Sequence, residues 1–120
     1  MKYRCLTNNP YIIENYKNQV ESFDGTPLEL FIRVKEEVLK GYKLITHPLT
    51  GSIGPHVNPY KSIIMETPKV TIDEDSLHLI DCAIMYTQNL LKDNTNCHWD
   101  FKSKQDFQDL DFDFVKRFLF

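Results

Sequence analysis

Three observations predict an α/β fold class for this 120-residue chain. Short apolar segments of strand length alternate with segments whose apolar residues recur every three or four positions. Two of the helical segments open on a capping residue followed by proline, Asn9-Pro10 and Thr26-Pro27. The length suits one core rather than separate cofactor and substrate domains. The expected architecture is a single three-layer, Rossmann-like domain over residues 1–120, with a mostly parallel sheet of about four strands flanked by helices.

Residues 2–6 form the first expected strand. Asn9 then caps a short helix, Pro10 takes its first position, and Ile13, Tyr16 and Val20 mark its apolar stripe. Residues 20–23 read as a short second strand, closed by the turn signal Asp24-Gly25. Thr26 as N-cap, Pro27 at N1 and Glu29 at N3 spell a capping box for the second helix, and Gly41 supplies its left-handed stop. That helix is expected to bury Leu28, Phe31, Val34 and Val38, and to show Arg33, Lys35, Glu36, Glu37 and Lys40 mostly to water.

Residues 42–46 and 62–65 are the third and fourth strands. Their connection holds about fifteen residues and no clear helix, long for a hairpin and just enough for a parallel crossover. The direction of the fourth strand is therefore open at this level. Asp73, Glu74 and Asp75 place negative charge at the mouth of a long third helix, where it complements the helix dipole. Leu77, Ile80, Ile84, Thr87 and Leu91 form that helix's packing stripe, with His78 facing solvent.

Composition excludes several classes of function. Apolar residues make up 42% and charged residues 26%, the balance of an ordinary globular protein rather than a disordered one. A formal charge of −3 and a pI near 5.7, with no basic cluster, argue against a nucleic-acid partner. The longest unbroken apolar run, residues 82–86, is far short of the roughly 20 residues that span a bilayer. Residues 1–5 lead into a strand without the apolar stretch of a signal peptide, so a cytoplasmic location with no membrane partner is expected. Cys5, Cys82 and Cys97 fall in no paired spacing and are expected reduced, with Cys5 and Cys82 as small buried hydrophobes.

In an open α/β sheet, ligands sit beyond the carboxyl ends of the parallel strands. Thr7, Asn8 and Asn9 end the first strand, and Thr46 and His47 end the third. If those strands are neighbours, both clusters line one crevice. The first helix would point its N–H groups into that space and Lys61 would add positive charge, which favours a phosphate or carboxylate ligand.

The loop that follows, punctuated by Pro48, Gly51, Gly54, Pro55 and Pro59, has the length of a binding loop, a lid or a disordered segment. Within it, Thr50-Gly51-Ser52-Ile53-Gly54 reads either as an anion cradle or as a simple turn with its hydroxyls in water. Its spacing matches neither a Walker loop nor a dinucleotide fingerprint, so no nucleotide cofactor is expected. His47 is the candidate acid or base. His47 and His56 as metal ligands lack an acidic partner in the loop, so no metal is expected. Nucleophilic readings of Ser52 or Ser62 with His47 or His56 lack the third group and oxyanion hole they need, and Cys97-His98 is adjacent in sequence, whereas a catalytic Cys and His ordinarily meet from different segments.

Residues 106–120 carry four aspartates among large apolar residues. Phe107, Leu110, Phe114, Val115 and Phe118 fit a helical stripe, while Leu110, Phe112 and Phe114 equally fit strand alternation. This aromatic-acidic C-terminal element is expected to dock on the domain's own sheet or on a partner, with a homodimer the next alternative.

The run Thr46-His47-Pro48-Leu49-Thr50-Gly51-Ser52, followed by Asn58-Pro59-Tyr60-Lys61-Ser62 and preceded by Thr7-Asn8-Asn9-Pro10, resembles the GrdX family. Those small proteins are named for gene clusters that encode glycine, sarcosine or betaine reductase. The resemblance covers roughly the first two-thirds of the chain and leaves the tail unmatched. It implies a cytoplasmic accessory protein of amino-acid reduction. As positions to test, it implies Thr7, Asn8, Asn9, Thr46, His47, Thr50, Ser52, Asn58, Tyr60 and Lys61. Two expectations follow: a non-catalytic protein that holds a small anionic metabolite or a partner segment, and a small enzyme in which His47 acts as acid or base on a carboxylate- or phosphate-bearing metabolite.

Overall fold

The computed structural model describes residues 3–49, 57–68, 71–93 and 101–119. Strands β1 (Tyr3–Thr7), β2 (Glu21–Ser22), β3 (Lys43–Leu44) and β4 (Ser62–Glu66) form one sheet in the order β2-β1-β4-β3. Helices α1 (Pro10–Asn15), α2 (Pro27–Leu39), α3 (Glu74–Asp93) and α4 (Phe101–Val115) surround it, and a 3-10 turn at Lys116–Phe118 follows α4.

β1 and β2 are parallel, with Leu6 opposite Glu21, and α1 makes the crossover between them. β4 runs antiparallel to both its neighbours, pairing Thr7 with Ser62 on one side and Lys43 with Glu66 on the other. The sheet is therefore mixed, and the expectation of a mostly parallel, Rossmann-like sheet fails at β4. A parallel return needs a covering crossover, whereas an antiparallel one does not. Between β3 and β4 the described residues contain no helix to supply it. β4 is also the strand best suited to the centre, because Ser62, Ile63, Ile64 and Met65 are all buried.

Alternation along the central strands divides the core into two. Leu6, Ile63 and Met65 face one side, where they pack with Leu30, Phe31, Val34 and Val38 of α2 and with Ile80 and Ala83 of α3. Cys5 and Ile64 face the other and pack with Ile12 of α1 and with Val115 and Leu119 at the end of α4. The result is three layers, with helices on both faces of the sheet.

Local chemistry accounts for the helix boundaries. The Asn9 side chain accepts the Tyr11 N–H at 3.1 Å and Pro10 stands at N1 of α1. Thr26 and Glu29 complete their capping box, with Thr26 N–H to Glu29 Oε1 at 3.0 Å and Glu29 N–H to Thr26 Oγ1 at 3.3 Å. Gly41 has φ of 105°, the left-handed conformation expected after α2. Asp73 caps α3 by accepting the Ser76 N–H at 2.9 Å. The Ser76 hydroxyl in turn accepts the Leu44 N–H at 2.9 Å, so the mouth of α3 covers the outer edge of β3.

Several expected faces shift. Ile12 rather than Ile13 is the buried residue of α1, and Leu30 joins the α2 stripe while Leu28 is half-buried. Glu37, expected in water, is buried because Arg4 of β1 meets it at 2.8 Å and Arg33 at 3.1 Å. Arg4 also grips Glu21 of β2 through both its Nε and a terminal nitrogen, the latter at 2.7 Å. On α3, Leu91 is exposed, and Ala83 joins Ile80 in the core. Cys82, expected in the core, is exposed, since it lies about 200° of helix from Ile80.

The helical reading of the tail prevails over strand alternation: α4 places Val115 in the core, leaves Phe114 exposed, and sets Phe112 edge-on to Tyr11 at 5.2 Å and stacked on Tyr16 at 5.6 Å. Among the described residues, no helix is long and apolar enough to cross a membrane.

Two measurements test these assignments. Thr26→Ala removes the α2 cap and should cost about 1 kcal/mol in urea unfolding. For Glu37, burial alone would raise the carboxyl, but the Arg4 hydrogen bond and the charges of Arg4, Lys40 and Arg33 outweigh it and hold it below the ordinary glutamate range. Its stabilisation is therefore present above the unfolded pKa and lost as pH falls through the depressed folded one. Glu37→Gln should cost about 2 kcal/mol at neutral pH, with the deficit shrinking below about pH 4.

Candidate functional site

The end of β1 and the start of β4 meet at one rim of the sheet, where the Thr7 and Ser62 hydroxyls lie 2.6 Å apart. α4 crosses over them and lowers Asp111 into the gap. Its carboxylate accepts the Ser62 N–H at 3.0 Å, the Ser62 hydroxyl at 2.6 Å and the Asn9 side-chain amide at 3.0 Å. The Ser62 hydroxyl has one proton and gives it to Asp111, which sets the direction of the hydroxyl bond behind it. Ser62 donates to Asp111, Thr7 donates to Ser62, and the Asn9 N–H donates to Thr7 Oγ1 at 3.0 Å. Thr7, Asn9, Ser62 and Asp111 are all buried.

Burial is the largest influence on Asp111 and pushes its carboxyl above the ordinary aspartate range. The Ser62 and Asn9 hydrogen bonds and the charge of Lys61 oppose it without cancelling it. Burial likewise draws the Lys61 ammonium below the ordinary lysine value, against the attraction of Asp111.

The asparagines act as brackets. Asn8 accepts the Lys61 N–H at 2.7 Å and donates to the carbonyls of Pro59 at 2.9 Å and Gly25 at 2.8 Å, joining the segment before β4 to the turn before α2. Asn9 caps α1 and also donates to the Gln108 carbonyl at 2.9 Å. Asn58 accepts the Tyr60 N–H at 2.9 Å, which turns the chain, and donates to the Phe107 carbonyl at 3.4 Å. Thr46 Oγ1 accepts the Ile64 N–H at 3.1 Å and so continues the pairing of β3 with β4. His47 is exposed, and its Nδ1 accepts the Leu49 N–H at 3.1 Å, so the neutral ring carries its proton on Nε2. Thr50, Ser52, His56, Cys97 and His98 lie outside the described residues.

The single crevice expected from the strand ends is divided in two. β1 and β3 run the same way but are separated by β4. Asn8 lines a groove of about 460 Å³ at the carboxyl ends of β1 and β2, with α1 on one side and Phe23 and Asp24 on the other. Thr46 and His47 line a different groove, of about 390 Å³, closed by Asp113, Phe114, Lys116 and Arg117. In it Lys116 pairs with Asp113 at 3.4 Å, and the Arg117 guanidinium lies over the Phe118 ring at 4.8 Å.

Lys116, Arg117, Asp111 and Ser62 are among the residues here that lie outside the positions the motifs nominate. Asp111 had a usable signal: it lies four residues from both Phe107 and Val115, on the apolar side of the helix.

Neither described cysteine joins these grooves. Burial, together with the negative charges of Asp111 and Glu21, pushes the Cys5 thiol up to about 12, and Cys82 sits 3.6 Å from His78 on the outer face of α3. Among the described residues, no three His, Cys, Asp or Glu side chains are grouped to hold a metal ion.

A four-stranded mixed sheet between two helical layers, its strand ends bound to the last helix through a buried carboxylate, defines a small three-layer α/β protein. No curated protein and no solved structure matches the chain. The family model described as GrdX-like protein matches residues 4–119, and the chain belongs to the GrdX-like family. The match includes the aromatic-acidic tail, which the motifs alone left unassigned.

The buried carboxylate makes a signed prediction. Asp111→Ala strands three donors and should cost about 3 kcal/mol or more. Because the folded pKa is raised, Asp111 contributes most below its ordinary value of 3.8, and that contribution is lost as pH rises through the folded value. The stability difference between wild type and Asp111→Asn should therefore move in the variant's favour from about pH 4 to pH 7. A difference that does not change with pH would contradict the assignment.

Proposed function

We propose that this GrdX-like protein is a non-catalytic accessory protein of glycine, sarcosine or betaine reduction, and that it holds a small anionic group in the groove beside Thr46 and His47. The link to that chemistry comes from the family. The observation that carries the ligand class is the lining of the groove, where among the described residues Lys116, Arg117 and His47 stand with one carboxylate, Asp113. A carboxylate or phosphate fits two cations and an imidazole donor.

The binding role is favoured over acid-base catalysis by the partner of His47. A catalytic imidazole is ordinarily oriented by a carboxylate on its second nitrogen, whereas here Nδ1 is held by the Leu49 backbone N–H. Thr7 and Asn9, nominated by the same motifs, support the site from behind by fixing the rim and the last helix rather than by meeting a ligand.

Calorimetric titration of the full chain with acetate, inorganic phosphate and acetyl phosphate at low salt tests the reading. Wild type should bind at least one of them, and Lys116→Ala/Arg117→Ala should weaken it about tenfold or more, a loss of about 1.4 kcal/mol. Binding that survives the double substitution would remove the groove. Turnover that disappears in His47→Ala while binding persists would establish the enzyme instead.

A further inference from the structure

The groove at the carboxyl ends of β1 and β2 is separate from the one assigned to an anion, and its charges point to a ligand of opposite sign. Among the described residues, three ionisable side chains stand around it, Glu14 from α1, Lys17 from the turn after that helix and Asp24 from the segment after β2. Among the described residues, none of the three makes an ion pair or a side-chain hydrogen bond, while Arg4, Glu21, Glu37, Lys35 and Asp81 elsewhere all do. The apolar part of the lining is Pro10, Ile13 and the ring of Phe23.

That aromatic wall is held in place before any ligand arrives. The Phe23 N–H donates to the Thr7 carbonyl at 2.8 Å. The ring rests so closely on Gly25 that a Cβ there would lie 2.7 Å from Phe23 Cε2. Gly25 is itself fixed, because its carbonyl accepts from Asn8 at 2.8 Å. A fixed ring carries negative potential on its face, and two carboxylates beside it add to that field, which favours a cation with hydrocarbon attached over a bare metal ion. The position also obeys the general rule for ligands, a crevice outside the carboxyl ends of adjacent parallel strands.

We propose that this groove binds a small organic ammonium ion, its charged nitrogen near Phe23 with Glu14 and Asp24, and its hydrocarbon part against Ile13 and Pro10. Lys17, at the same rim, gives a zwitterionic ligand a place for its negative group. The site is independent of the anion groove and uses none of its residues.

Titration followed by NMR on the full chain, with n-butylammonium chloride against sodium chloride at equal ionic strength, tests this. Shifts induced by n-butylammonium should cluster on residues of α1 and on Phe23 and Asp24, with sodium producing none. Glu14→Gln/Asp24→Asn, both at exposed positions, should weaken binding at least tenfold. Gly25→Ala, which displaces the Phe23 ring, should weaken it while leaving anion binding at Lys116 and Arg117 intact. Three results would overturn the proposal: equal response to sodium, unchanged binding in the double variant, or shifts that follow Lys116→Ala/Arg117→Ala instead.

Discussion

One carboxylate, that of Asp111, organises the rim on which both grooves stand. A charged group removed from water is tolerated only where donors replace its hydration, and here the donors come from two other elements, β4 through Ser62 and the start of α1 through Asn9. The requirement is directional as well as energetic. A slide of α4 by one residue would rotate Asp111 by about 100° and leave those donors facing hydrocarbon. The helix is thereby held in one register, and Lys116 and Arg117, one turn or more beyond, are delivered to the side of His47.

Caps and stops could be read from the residues because each depends on neighbours in sequence. Asn9-Pro10, the Thr26 to Glu29 box and Gly41 need no knowledge of the rest of the chain, and each takes the expected geometry. The errors have the opposite character. Glu37 reads as a water-facing residue from its own helix and is buried only because Arg4, 33 positions earlier, comes to it from β1. The direction of β4 depends on the path of a long connection, and the depth of Asp111 depends on which partner faces α4. Burial of a charge is a property of the pair, and only one member of a pair is visible in a local window.

The same distinction applies to the motifs that mark the family. Thr7, Asn8, Asn9 and Asn58 carry hydroxyls and amides that can serve a ligand or the chain itself. In the folded chain the three asparagine amides tie loop backbone to other loop backbone, at Gly25 and Pro59, and to α4, at Phe107 and Gln108. Polar residues of this kind at strand ends answer a need of the backbone, whose loop N–H and C=O groups must be paired when they leave water. Thr46 and His47 differ in that a groove with fixed charges opens next to them. Site assignment from a motif is therefore safest where a polar side chain borders open space as well as chain.

The hydroxyl of Ser76, set against the outer margin of β3, has a bearing on how the protein behaves when crowded with its own copies. A bare sheet margin is a template onto which a foreign strand can add, and successive additions of that kind build fibrils. With the Leu44 amide already taken, and with the opposite margin reduced to the two residues of β2, growth of the sheet by recruitment is discouraged on both flanks.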